Sequence, residues 1–277
     1  MRWKGRRRSS NVEDRRGQGM GKGTAIGGGG IIMALVAIFL LNQDPAQVLQ
    51  GMQEQQPQQQ GQYRPTEQEQ RVTEFVSVVL ADTEDTWSQI FQQSGYQYKP
   101  PKLVLYSDMT PTACGTGQAA SGPFYCPGDQ KVYLDLSFLN ELQKMGAKGD
   151  FSVAYVLAHE IGHHIQTITG TSDKVRQAQS RASKTQSNAI QVRMELQADC
   201  YAGVWANHTQ QRTQFLDQGD IEEALSAAAA VGDDKIMRSA GRTPRREAFT
   251  HGSSKERMEW FTKGVQSGDI RSCDAGI

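Results

Sequence analysis

The chain has no CxxC pair, no net charge and only one apolar run of membrane length. Without CxxC spacing a cysteine-held zinc site is disfavoured, and nothing near the four cysteines offers the histidine partner that a nucleophilic thiol needs. The zero balance hides an asymmetry. Residues 1–23 hold eight basic and two acidic side chains, a net of +6, which leaves −6 for the remainder. A basic run of this kind suits nucleic acid or a membrane flank. The stretch that follows, Thr24–Leu41 (TAIGGGGIIMALVAIFLL), favours the flank, and no nucleic-acid partner is expected. It carries no charge, and as a helix it would span about 27 Å, just enough for a bilayer. No small-x-small cleavage pattern follows at Leu41–Pro45, so an uncleaved, single-pass anchor is expected. The positive-inside rule then makes residues 1–23 a cytoplasmic tail and puts 42–277 outside the cytoplasm, at the inner membrane. Residues 42–65 are rich in Gln and Pro and read as a linker. Residues 66–277 form one folded domain.

What is present centres on Phe151–Gly170 (FSVAYVLAHEIGHHIQTITG), an apolar segment holding an HExxH pattern. On a helix, His159 and His163 share one face and can address one ion. Neutral imidazoles suit Zn²⁺, which in a catalytic site takes a third protein ligand and a water. Glu160, beside the first ligand, is placed to act as general base on that water, whose pKa zinc lowers to about 7. The rival pair Glu160/His164 has the same spacing but leaves His159 and His163 without a role. The apolar neighbours make this a buried helix, where two histidines and a glutamate are costly unless satisfied. Gly162 costs about 1 kcal/mol in a helix interior, which a second backbone passing close by would explain.

Downstream, Arg193–Cys200 (RMELQADC) offers two carboxylates four residues apart. Glu195 suits the third ligand, and Asp199 suits the acceptor that fixes the tautomer of a ligating histidine. The packed neighbours Leu196, Ala198, Ala202, Val204 and Trp205 argue against a merely solvated acidic face.

His159, Glu160 and His163 followed by Glu195 and Asp199 resemble the gluzincin group of zinc peptidases. The ELQADCYAG run and the late His251-Gly252-Ser253 segment make the chain similar, over nearly its whole length, to a bacterial family described as neutral zinc metallopeptidases. That resemblance implies a mostly helical α+β, zincin-like domain with a small sheet beside the active-site helix, one Zn²⁺ per chain, and a protein or peptide substrate. By the same analogy Val132–Leu136, or the loop before it, would be the edge that pairs with substrate.

The remaining elements follow from pattern. Thr66-x-x-Glu69 is a capping box, and the apolar positions from Val72 to Phe91 mark a long scaffold helix. Lys102–Tyr106 and Lys131–Leu136 read as strands around a Gly- and Pro-rich loop, Ser107–Gln130. Ser137–Met145 reads as a short helix. A helical region, Asp173–His208, is interrupted by the polar stretch Ser180–Asn188. Asp220 is expected to cap a further helix, and Ser253-x-x-Glu256 to open the last one. Four cysteines allow three pairings. The expected one is Cys114–Cys126, pinning the loop over the cleft, with Cys200–Cys273 tying the C-terminal tail to the Glu195 helix. His251, Tyr155 and Tyr201 are candidate donors to a developing oxyanion, His251 foremost. Tyr155 also suits a donor behind the ligands or a core residue, and His208 suits a surface position. The reading is a membrane-anchored zinc endopeptidase. A non-catalytic zinc scaffold, and a zinc hydrolase of cell-wall peptides, stand as alternatives.

Overall fold

The computed structural model of the chain describes residues 1–17, 63–118 and 122–277. The expected anchor, 24–41, and most of the linker lie outside these residues. The described part is a mostly helical α+β domain with a small sheet against the HExxH helix, as the zincin-like reading expects. The sheet joins β1 (Val12–Asp14), β2 (Lys102–Tyr106), β5 (Phe124–Cys126) and β6 (Lys131–Asp135) in the order β1-β2-β6-β5. β1, β2 and β6 run parallel, while β5 lies antiparallel to β6 at the border. Val104 and Tyr106 of β2 face Tyr133 and Cys126, and Leu103 and Leu105 enter the main core, so both faces are apolar. Inside the expected loop, β3 (Met109–Thr112) and β4 (Gly115–Gln118) form a separate hairpin.

β6 pairs with β2 on one side and with β5 on the other. Residues 131–133 therefore have no free edge for substrate, which corrects that part of the expected Val132–Leu136 edge and leaves its alternative, the segment before the strand. The sheet's border on the cleft side is β5, in the segment before it.

Helix α1 (Glu67–Gln93) starts at the expected capping box, with the Thr66 hydroxyl accepting from the Glu69 N–H and the Glu69 carboxylate accepting from the Thr66 N–H. After α2 (Phe138–Lys144), the HExxH helix α3 (Asp150–Ile168) and α4 (Thr171–Gln179) follow. The interruption is shorter than expected, because Ser183 and Gln186 form a capping box that opens α5 (Lys184–Thr213). α6 (Asp220–Ala230) is preceded by Gly219 at φ +95°, so Asp220 is its first residue rather than its cap. α7 (Asp233–Ser239) was not foreseen, and α8 (Ser254–Ser267) begins at the expected Ser253/Glu256 box. α8 lies directly on α5: a Cβ on Gly264 would stand 2.0 Å from the Cys200 carbonyl oxygen, so only glycine permits this approach. Both expected disulfides form, Cys114–Cys126 and Cys200–Cys273.

The N-terminal basic run is not a separate tail. Two carboxylates of α1, Asp82 and Glu84, are buried; residues 6–11 supply partners to both, and Arg212 of α5 also lies 3.7 Å from Asp82. Arg6 Nη2 donates to Asp82 Oδ1 at 2.6 Å, and Arg7 Nη1 to Glu84 Oε2 at 3.0 Å. Ser9 Oγ and Asn11 Nδ2 both donate to Glu84 Oε1. Buried charge is costly unless paired in this way. The Met1 ammonium lies 3.0 Å from Asp150 and 3.2 Å from Asp220, and β1 enters the sheet with Val12 opposite Leu103. A single membrane crossing between residues 17 and 63 would put β1 and β2 on opposite sides of a bilayer, yet they share one hydrogen-bonded ladder. The expected arrangement, 1–23 inside and 42–277 outside, would have to part these paired strands, whereas residues 1–17 pack as part of the same folded body as 63–277. Among the described residues no helix is long and apolar enough to cross a membrane.

Candidate metal centre

α3 carries His159 and His163 one turn apart, and α5 crosses it so that Glu195 and Asp199 meet them. The crossing is close, because a Cβ on Gly162 would lie 3.0 Å from the Ala198 Cα and carbonyl oxygen. This is the backbone approach that a glycine amid an apolar helix implied.

His159 Nε2 stands 3.2 Å and His163 Nε2 3.5 Å from the same oxygen, Glu195 Oε2. Each of the three side chains has an outer partner. His159 Nδ1 lies 2.7 Å from Asp199 Oδ1, which has no proton to give, so Nδ1–H donates and Nε2 keeps its lone pair inward. His163 Nδ1–H donates to Gln166 Oε1 at 2.8 Å. The orientation of Gln166 is set because its amide NH₂ donates to Met194 O and Gln197 Oε1. Gln191 Nε2 donates to Glu195 Oε1 at 2.9 Å. Two imidazole nitrogens and a carboxylate oxygen thus converge with their tautomers fixed, which is a donor set that fits zinc.

The electrostatics favour a cation at that point. Burial opposes a charged imidazole, yet Asp199 and Glu195 carry His159 up to about 9. Burial likewise opposes ionised carboxylates, but His163 and His159 hold Glu195 well below its ordinary value, and Arg257 with His159 brings Asp199 down to about 2. A divalent ion meets the same field that here favours a proton. Glu160 differs: burial lifts it above the ordinary glutamate value against the pull of His163 and His159. Asp150, Asp220 and Glu223 also lie close enough to share an ion, but the Met1 ammonium already sits on two of them, Asp150 and Asp220.

The centre opens into a cleft of about 990 Å³. Glu160, Phe124 and Tyr125 of β5, and His251 line it. His251 is half exposed and held by α7. Asp233 Oδ2 accepts from the backbone N–H groups of Thr250, His251 and Gly252, and Asp233 Oδ1 lies 3.2 Å from His251 Nδ1. The Asp233 contact raises the His251 pKa; burial opposes this, and the Glu195 charge adds to it.

The other candidates fall elsewhere. Tyr155 donates to Asp199 Oδ1, so it supports the carboxylate behind His159. Tyr201 packs edge-on against Trp87, 5.6 Å between ring centroids. His208 donates to the Gly268 carbonyl. His164 points away from the centre, donating to Lys99 O and accepting from the Tyr125 hydroxyl, which removes the Glu160/His164 register.

Along its whole length the chain, residues 1–276, matches the family model described as "Putative neutral zinc metallopeptidase". The chain belongs to this family. It is 46% identical to the uncharacterized protein YpfJ of Escherichia coli K12 over 284 aligned residues, covering 99% of this chain and 98% of that protein. The uncharacterized protein Rv2575 of Mycobacterium tuberculosis H37Rv is 42% identical over 188 residues, 64% of this chain and 62% of its own length. No solved structure matches. Membership extends to the N-terminal run, which agrees with residues 1–17 being part of the folded domain.

Sequence reasoning missed Gln166, Gln191, Asp233 and Arg257. Gln166 had a signal, since it is a polar residue on the inward face of an apolar helix, three positions after His163. Arg257 had a similar one, four positions before the buried Phe261. Asp233 had none, because its partner His251 is 18 residues away.

Proposed function

We propose that the chain is a zinc-dependent endopeptidase. The observation that carries this is the convergence of His159 Nε2, His163 Nε2 and Glu195 Oε2 at the floor of an open cleft, with Glu160 in its wall. His159, His163 and Glu195 would hold the ion. Zinc bound there supplies a Lewis acid that polarises a peptide carbonyl and makes water acidic near neutral pH. Glu160 takes the proton of the attacking water and passes it to the leaving amine, and its raised pKa brings it nearer to that task. His251, held by Asp233, donates to the oxyanion that develops on the carbonyl. An extended peptide would lie along β5, the strand bordering the cleft. The cleft, open to peptide, favours turnover over a closed scaffold site.

The two disulfides favour an oxidising compartment, outside the cytoplasm, for the whole folded body including residues 1–17.

The test compares zinc content and peptide hydrolysis in wild type, Glu195→Ala and Glu160→Gln after exhaustive dialysis. Wild type is expected to keep about one zinc per chain, Glu195→Ala to lose it, and Glu160→Gln to keep zinc while hydrolysis falls by at least ~10²-fold. A Glu160→Gln protein as active as wild type would remove Glu160 from the reaction.

A further inference from the structure

Asp199 behind His159 was legible as a partner of the ligand, but a carboxylate can orient an imidazole only if its own orientation is held. Asp199 is fully buried, so solvent cannot hold it. We infer that Arg257, from the first turn of α8, is the positioning residue that locks the Asp199 carboxylate and, through it, the His159 ring; this rests on the zinc reading of the site.

Arg257 Nε donates to Asp199 Oδ2 at 2.8 Å, and Nη2 donates to Asp199 Oδ1 at 2.9 Å. This is a two-point fork that fixes the plane of the carboxylate. Apart from Arg257, no donor reaches Asp199 Oδ2 among the described residues, whereas Oδ1 also accepts from His159 and Tyr155. Without the fork, the carboxylate keeps two donors on one oxygen and can rotate about them. Nη2 also donates to the Tyr155 hydroxyl at 3.3 Å, and Nη1 to the Val231 carbonyl at 3.4 Å. The guanidinium is thus tied to α3, α5 and the end of α6, and its side chain is only 4% exposed. It lies 3.3 Å from His159 Nδ1, on the side of the ring away from the Glu195 oxygen. Arginine suits this place and lysine does not, because a lysine ammonium presents a point charge and no planar fork.

A residue acting only through Asp199 loses its effect once Asp199 is changed. The experiment measures zinc dissociation constants by competition with a chromophoric chelator, on the full chain. It compares wild type, Asp199→Asn, Arg257→Met, Arg257→Lys and the two double variants carrying Asp199→Asn. Far-UV circular dichroism checks folding. Asp199→Asn and Arg257→Met are each expected to weaken zinc by ~10–100-fold, with Arg257→Lys in between. In the Asp199→Asn background either change at Arg257 is expected to shift affinity by no more than about twofold, since the partner it acts on is gone. Arg257→Met strands a buried carboxylate, so if it does not fold, Arg257→Lys carries the same cycle with the charge kept. Wild-type affinity in Arg257→Lys, or an equal loss with and without Asp199→Asn, would overturn the assignment. Zinc affinity is read without turnover, so an inactive chain that follows the cycle would refute the peptidase reading and leave Arg257 in its role. A wild-type chain that binds no zinc would overturn both.

Discussion

The clearest quantitative consequence of the fold lies far from the metal, where the first residues of the chain meet α1. Glu84 Oε1 accepts from Ser9 Oγ at 2.5 Å and from Asn11 Nδ2 at 2.8 Å, and Glu84 itself is 8% exposed. The double variant Ser9→Ala/Asn11→Ala removes both donors and leaves Arg7 on the other oxygen. Hydrogen bonds to a charged group are worth about 1.5–3 kcal/mol each, so the two together set a loss of about 3–6 kcal/mol. Water entering the space of the truncated side chains offsets part of this, which leaves about 2 kcal/mol as the smallest expected loss. Against a typical domain stability of about 5–15 kcal/mol, that is a large shift in the unfolding midpoint. The assay is urea unfolding of the full chain followed by far-UV circular dichroism. Glu84→Gln, alone and combined with the double variant, provides the thermodynamic cycle, and the triple variant is expected to lose less than the sum. A solvated tail predicts a change within about 0.5 kcal/mol. That result would refute the docking of residues 1–17, and with it the proposal that they share a compartment with the rest of the domain.

Two further outcomes concern the site. Asp233→Asn removes the contact that raises the His251 pKa. As an oxyanion donor His251 works protonated, so the alkaline limb of kcat/KM is expected to move to lower pH in the variant; an unmoved limb would exclude His251 as the titrating donor. Gly162→Ala drives a Cβ to 3.0 Å from the Ala198 backbone. It is expected to cost about 1–3 kcal/mol in thermal or urea unfolding, with zinc binding weakened because α3 and α5 carry the ligands; wild-type stability would show that the crossing is not tight.

Local pattern settled a good deal of this protein. Helix periodicity placed His159 and His163 on one face, and the same spacing put Glu195 and Asp199 together, because four residues is nearly one helical turn. The Thr66 and Ser253 capping boxes were readable for the same reason: cap and partner lie within one turn. Even a long-range contact left a trace, since Gly162 in an apolar helix is explained only by the backbone of α5. What the tertiary structure alone decided depends on residues far apart in the chain. β6 became an inner strand because β5 paired beside it, which moved the cleft border one strand earlier. Gln166, Asp233 and Arg257 gained their roles from partners on other elements, and no spacing rule reports those. The N-terminal basic run shows this most plainly. Read alone, eight positive charges before an apolar stretch suit a cytoplasmic flank. Folded, two of those charges, Arg6 and Arg7, answer carboxylates buried in a helix more than 70 residues away. Burial decides that pairing, and burial is a property of the assembled domain, not of any one segment.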